Sequence, residues 1–294
     1  MYYFSIPDSQ DTRDINFTLL EYMSAHRDLF YGDFVIQTAY GAPGCCIWNG
    51  NRIDKSSIMH SAWKNLVLEP YAEHGVSYRL TFTNFLLEPK HLYDTYGNFI
   101  AAMCNDFGGG SVMVSTPLMA QYMKKYPGLE LCWSTTTDFG STKEQQLGTI
   151  NRLSEKSPVV LPYEFNNSKF LDELQHPENI EVLVNEKCID NCPNRKLHWA
   201  ENNKYILMQS DVDMPCAFEK EMDKEDEGIV VRHHLVGRDL LPDYAVKGIC
   251  HFKVEGRKNA RNLLLEYMDY FVREGYGKDV AQEISALAVR RQKN

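Results

Sequence analysis

VKGICHFKVEGRKNARNLLLEYMDYF, residues 246–271, reads as one strand followed by one helix. In its first half, period-two alternation puts His251, Lys253, Glu255 and Arg257 on one face and Cys250, Phe252, Val254 and Gly256 on the other. In its second half Leu263, Tyr267 and Phe271 recur at four-residue spacing beside Leu264 and Met268, an apolar stripe made to pack on a sheet.

The same unit recurs upstream. Short β-branched and aromatic runs at Tyr2–Ile6, Phe34–Tyr40, Tyr78–Asn84, Ser111–Ser115, Leu129–Thr135, Val159–Phe165 and Glu181–Asn185 precede an eighth at Val246–Val254. Helical spacing is predicted for 13–29, 57–74, 90–104, 117–126, 142–155, 168–174 and 193–204, and again for 259–274 and 278–292 after the last strand. Eight strand–helix units satisfy the right-handed crossover rule most simply as a closed parallel ring. The expectation is therefore an α/β chain forming a single (β/α)8 TIM-like barrel over residues 1–294, with an open doubly wound sheet as the alternative. Gly108, Gly109 and Gly110 precede a strand instead of linking strand to helix, which makes them a turn and not a dinucleotide fingerprint. Residues 205–244 break the rhythm, carry the acidic run Glu219 to Glu227, and read as an inserted segment that caps the strand ends.

Composition narrows the function. The formal charge is −9 with no run of Lys or Arg, which speaks against a nucleic-acid partner. No apolar stretch approaches the ~18 residues that span a bilayer, so no membrane is expected. The chain opens on a strand-like run without an export signal, so a cytoplasmic location is expected. There most of the eight cysteines are expected to be free thiols, and Cys104 and Cys132 sit in apolar context as small hydrophobes.

In a barrel of this kind the chemistry is delivered from the C-terminal ends of the strands. Those ends are polar here: Tyr40 and then Cys45, Cys46 and Asn49, followed by Thr83, Asn84, Ser115, Thr135, Thr136, Glu164, Asn166, Asn185 and Glu186. Asn and Thr also end strands merely to satisfy turn backbone groups. Together they point to a pocket for a small polar molecule, with Tyr40, Asn49, Asn84, Asn166 and Asn185 as its binding residues. On the eighth strand Lys253, Glu255 and Arg257 are the catalytic candidates. If that face points into the barrel mouth, Lys253 with Arg257 can clamp a substrate carboxylate; otherwise it is a salt-bridged strand end.

The strongest local pattern is KCIDNCPNRKLH, residues 187–198. Its Cys-x3-Cys spacing lets Cys188 and Cys192 converge on one metal. Cys216 can fold back as a third ligand, and Cys46 or Cys45, with His198 as competitor, supplies a fourth. Soft thiolates suit an iron–sulfur cluster or zinc.

At these residues the chain resembles the collagenase-like peptidase family, which includes prephenate-dependent hydroxylases of RNA and quinone precursors. EVLVNEKC at 181–188 is similar to the family's strand leading into its first cluster cysteine, Cys192 and Cys216 follow where further ligands are expected, and FKVEGR at 252–257 is similar to its Lys-Ile-Glu-Gly-Arg signature. Asn185-Glu186 replaces the family's His-Gly pair, which marks a divergent branch. The resemblance implies a 4Fe–4S cluster held by Cys188, Cys192, Cys216 and, as in the quinone-pathway branch, Cys46. It also implies a small carboxylate near Lys253 and Arg257, Glu255 fixing Arg257, and a hydroxylase-type step on a small molecule or peptide. The alternatives are a non-catalytic barrel subunit that binds a cluster or a partner protein, and a metal-independent hydrolase with Glu164 and Glu255 as its acid–base pair.

Overall fold

Each of the eight β-branched runs forms a strand, and the strands close on themselves in sequence order. In a computed structural model of the chain these are β1 (Tyr2–Pro7), β2 (Phe34–Gly41), β3 (Ser77–Phe82), β4 (Gly110–Val114), β5 (Leu129–Trp133), β6 (Val159–Leu161), β7 (Ile180–Leu183) and β8 (His251–Lys253), all parallel, with β8 pairing back onto β1. This is a closed (β/α)8 barrel. The structure describes every residue except 42, 51–61, 139–140, 210–215, 217, 219–231, 257–259 and 293–294.

Among the described residues the helices are α1 (Arg13–Ala25), α2 (Glu69–Glu73, continuing a π-helical stretch Lys64–Leu68), α3 (Thr95–Phe107), α4 (Pro117–Met123), α5 (Lys143–Ser154), α6 (Arg195–Ile206), α7 (Leu241–Val246), α8 (Ala260–Phe271) and α9 (Gly277–Arg291). No helix among them is long and apolar enough to cross a membrane. Of the predicted helix over 57–74, residues 57–61 lie outside the described set. Several boundaries differ from the sequence reading, three of them notably. β6 stops at Leu161 because Pro162 cannot donate to the ladder, and a 3-10 turn, Tyr163–Phe165, follows. The predicted helix over 168–174 is a 3-10 turn, Lys169–Glu173. The strand predicted to start at Val246 starts at His251, because the chain first turns through α7 and then through Gly248 at φ 90°.

The sheet separates an apolar outside from a largely polar inside. Phe4, Ile6, Val112, Val114, Val182, Val184, Phe252 and Val254 all belong to the main core shared with the helices. The stripe of α8 meets it, with Phe271 edge-on to Phe4 at 5.0 Å and stacked on Phe34 at 4.7 Å. Met113, Cys132 and Val160 form a separate apolar cluster. They alternate with the outward residues of their strands, which places them inside the ring.

Charges fill the rest of the interior. Glu181 accepts from Ser5 Oγ at 2.5 Å and from Arg79 Nη1 at 2.5 Å, and Arg79 Nε donates to Ser111 at 3.2 Å. Burial alone would raise the Glu181 carboxyl pKa, but Arg79, Lys253 and Ser5 outweigh it and hold the group below the ordinary glutamate range. A carboxyl lowered by folding stabilises fully above its unfolded pKa of about 4.3, and that contribution is lost as pH falls through the lower folded value. Replacing Glu181 by Leu strands Arg79 in the interior, and chemical denaturation at neutral pH is expected to show a loss of about 3–5 kcal/mol. The stability gap between Glu181→Leu and the parent should narrow below about pH 4; a gap that persists unchanged in acid contradicts this account.

Candidate functional site: the covered barrel mouth

α6 does not take the position of an ordinary outer helix. Its sequence, RKLHWAENNKYI, has no apolar stripe, and four of its residues, Arg195, Asn202, Asn203 and Ile206, are buried. Its first residue reaches the ends of β5 and β6: the Arg195 guanidinium pairs with Glu164, lies 4.2 Å over the Tyr163 ring, and donates to Thr135 Oγ1 at 3.5 Å. Near its other end the Asn203 carbonyl accepts from Asn84, just past β3, at 3.4 Å. A helix of 12 residues spans about 18 Å, enough to cross a barrel mouth, and these two anchors lay α6 over the strand ends. A helix with a polar underside suits a polar mouth.

Beneath it stand hydroxyls. Ser115 Oγ and Thr136 Oγ1 are 2.5 Å apart, and Thr136 Oγ1 lies 3.0 Å from Ser134 Oγ. Thr81 Oγ1 and Thr83 Oγ1, from β3 and its end, are buried without a hydrogen-bond partner, as are Glu164 Oε2, Asn166 Oδ1 and, on α6 itself, Asn202 Oδ1. Gly50 lets the loop after β2 approach this end closely, since a Cβ there would stand 2.3 Å from the Thr83 carbonyl oxygen.

The rim next to α6 is held by an aromatic and ionic group of contacts. Tyr163 donates to the Ile189 carbonyl at 3.1 Å and packs against His234 at 4.4 Å. His234 bonds to Asp190 through Nδ1 and contacts the Glu186 carbonyl oxygen through Nε2 at 2.9 Å, which ties the chain returning toward α7 to the loop after β7. Burial works against the charged Asp190, but the hydrogen bonds from His234 and the His233 main chain hold its pKa below the ordinary range.

The predicted catalytic lysine lies inside the barrel. Lys253 is buried, with Nζ 3.7 Å from the Tyr40 ring centroid and 3.7 Å from Met113 Sδ. Glu255 follows on the same face, its main chain bonded to Asn185, and Arg257 lies outside the described residues. Of the predicted binding residues, Tyr40 donates its hydroxyl to the Val254 carbonyl at 2.7 Å. Asn84 donates to the carbonyls of Ile47 and Asn203 and accepts from the Leu86 main chain. Asn185 pairs both ends of its amide with the Glu255 main chain, and Asn166 donates to the carbonyls of Leu183 and His234. Asn49 is buried in the loop after β2. These amides largely stitch the rim together.

The predicted metal ligands are only partly gathered. Cys188 and Cys192 share the loop between β7 and α6; Cys188 is pushed up to about 12, first by burial, then by Glu186, with Cys192 adding to it. Cys46 is elsewhere, sealed in the main core, where its sulfur meets the backbone N–H groups of Trp48 and Asn49 and burial pushes it up to about 12. Cys216 is half-buried, with residues 210–215 and 217 outside the described set. Among the described residues no three His, Cys, Asp or Glu side chains converge as metal ligands. The arrangement fits a two-thiol contribution from the rim and does not bring Cys46 to it.

No protein-family model and no curated protein matches the chain. Among solved structures it is similar to the one described as "The crystal structure of AsfvAP:AG", at a TM-score of 0.45 and 11% identity over 97% of each chain. A likeness at that level carries no argument about the site.

Sequence reasoning missed Arg195, Tyr163, Thr81 and the His234–Asp190 pair. The one available signal was the missing apolar stripe over 195–206. Replacing Arg195 by Met should loosen the first turn of α6, costing about 2 kcal/mol and speeding limited proteolysis between α6 and α7; unchanged cleavage would argue that the helix is held by other contacts.

Proposed function

We propose that the chain is an enzyme that encloses a small, polar, carboxylate-bearing molecule in the barrel mouth beneath α6. The observation that carries this reading is the set of buried polar atoms without partners on both sides of the mouth: Thr81 and Thr83 below, Glu164 and Asn166 at the rim, Asn202 above. Each such atom costs about 1–3 kcal/mol unless something bonds to it, and a hydroxylated or carboxylated ligand offers the complementary groups. Arg195 at the rim and Lys253 within the barrel supply cationic groups for an anion. Glu164, with Oε1 held by Arg195 and Oε2 without a partner, is placed to exchange a proton with a bound substrate.

A second reading is favoured by the proximity of Cys188 and Cys192. In it those thiols hold a zinc ion or an iron–sulfur cluster, and the chain is a redox enzyme akin to the collagenase-like peptidases and prephenate-dependent hydroxylases. A metal would supply Lewis-acid or electron-transfer chemistry at the rim, while the hydroxyls and Arg195 would still bind substrate.

Two measurements separate these readings. Thr83→Val keeps the side-chain shape but removes the unpartnered hydroxyl, so it should leave the ligand-free protein as stable as the parent or more so, while weakening binding of small hydroxy acids about tenfold. Destabilisation of the ligand-free protein, with no effect on binding, would assign the hydroxyl a structural role. Iron, zinc and sulfide analysis of protein isolated without oxygen tests the metal reading: stoichiometric metal that disappears in Cys188→Ala supports it, and metal-free protein ends it.

A further inference from the structure

The position of Lys253 supports more than charge pairing. Met113 is on β4, four strands from β8 in either direction around the ring, so contact between Lys253 Nζ and Met113 Sδ carries the amine across the barrel axis. Tyr40, whose hydroxyl is fixed on the Val254 carbonyl, presents its ring face to the same nitrogen. Thr81 is the register partner of Met113 and brings a buried hydroxyl without a hydrogen-bond partner to this level. Glu181, whose carboxyl is held low in part by the charge of Lys253, has both oxygens bonded, one to Ser5 and one to Arg79. The amine therefore stands at the floor of the mouth, against the Tyr40 ring and the Met113 sulfur. Burial away from water favours the neutral amine, the form in which a lysine acts as a nucleophile.

We infer that Lys253 forms an iminium with the carbonyl carbon of a small aldehyde or α-keto acid bound in the mouth. This deepens the enclosed-substrate reading and rests on it. In the step, the ammonium first passes one proton to water, the freed lone pair of the lysine nitrogen bonds to the carbonyl carbon, and the C–O bond then breaks as the oxygen leaves as water, carrying one proton from the nitrogen and taking back the one first released. One positive charge is present before and after. The Tyr40 face and the Glu181 field that favour the ammonium thus favour the iminium as well, and the net charge of the site is the same before and after the step. Thr81 is positioned to bond to the carbonyl oxygen as it departs, and Arg195 above can take the carboxylate of a keto acid.

The test is reductive trapping on the intact protein. Pyruvate, glyoxylate and glycolaldehyde are each incubated with cyanoborohydride, and the adduct is located by peptide mass mapping. The expected result is a single dominant adduct on Lys253 with at least one of the three, lost in Lys253→Arg while that variant keeps its thermal unfolding midpoint. Should Lys253→Arg fail to fold, the parent protein still decides: modification confined to exposed lysines such as Lys90, or none with any probe, overturns the inference. Thermal shift with lactate and glycerate, which have no ketone or aldehyde, is read in parallel. Stabilisation by these without an adduct on Lys253 removes the iminium and leaves the substrate chamber; neither stabilisation nor adduct removes both.

Discussion

Charges inside a closed sheet must be answered from within it, and that constraint organises this molecule. The backbone ring separates the interior from the helices, so Arg79 on β3 has to find Glu181 on β7, with Ser5 and Ser111 completing the hydrogen bonds. Each of these residues comes from a different strand. Satisfying them together holds the strands at one relative height, since a one-residue slip would turn each side chain toward the helices. Met113, Cys132 and Val160 form a small apolar cluster in the interior, and most of the large hydrophobes are spent on the outer layer.

The same logic explains the cover. A polar interior open at one end calls for a polar lid, and α6 has the composition for it: Arg195, Asn202 and Asn203 face inward while Leu197 is half-exposed. An amphipathic helix laid there would bury apolar groups against hydroxyls and carboxylates. Among its anchors are the guanidinium of Arg195, bonded to Glu164 and Thr135, and the main-chain carbonyl of Asn203, bonded to Asn84. The attachment of the cover and the chemistry at the rim therefore share the Arg195 side chain.

The fold was legible because period is local. The β-branched runs, the turn at Gly108–Gly110 and the stripe of α8 each express their structure within a few residues, and the alternation on β8 correctly separated Lys253 from Phe252. Where local pattern misled, a single residue explains it, as with Pro162 at the end of β6 and Gly248 before β8. The mouth was less legible. Asn84, Asn166 and Asn185 look like binding residues in the sequence, yet their donors go to main-chain carbonyls, because a strand end must satisfy its turn before it can offer anything to a ligand. Thr81 and Thr83 look ordinary, and become notable only through burial, which depends on seven other strands and α6. Much of the inserted segment expected over 205–244, with its acidic run, lies outside the described residues; α6 was not expected over the mouth, since a helix in sequence carries no label for the surface it will lie on.

Thiol chemistry and carboxylate chemistry meet at Arg195. Its guanidinium faces Glu164, and its field also reaches Cys188, where it opposes the burial and the Glu186 charge that keep the thiol protonated. A thiolate at Cys188, whether free or on a metal, would draw on the same cation that anchors α6 and holds Glu164, and Arg232 would be attracted to it as well. Loading the rim with negative charge would therefore weaken the hold of Arg195 on Glu164. The two readings of the site are in this way linked electrostatically. Cys46 stands outside that linkage, because drawing its sulfur to the rim would break its bonds to the Trp48 and Asn49 amides and open the packing around Trp48, whose ring lies against Gly97 of α3 too closely to admit a Cβ.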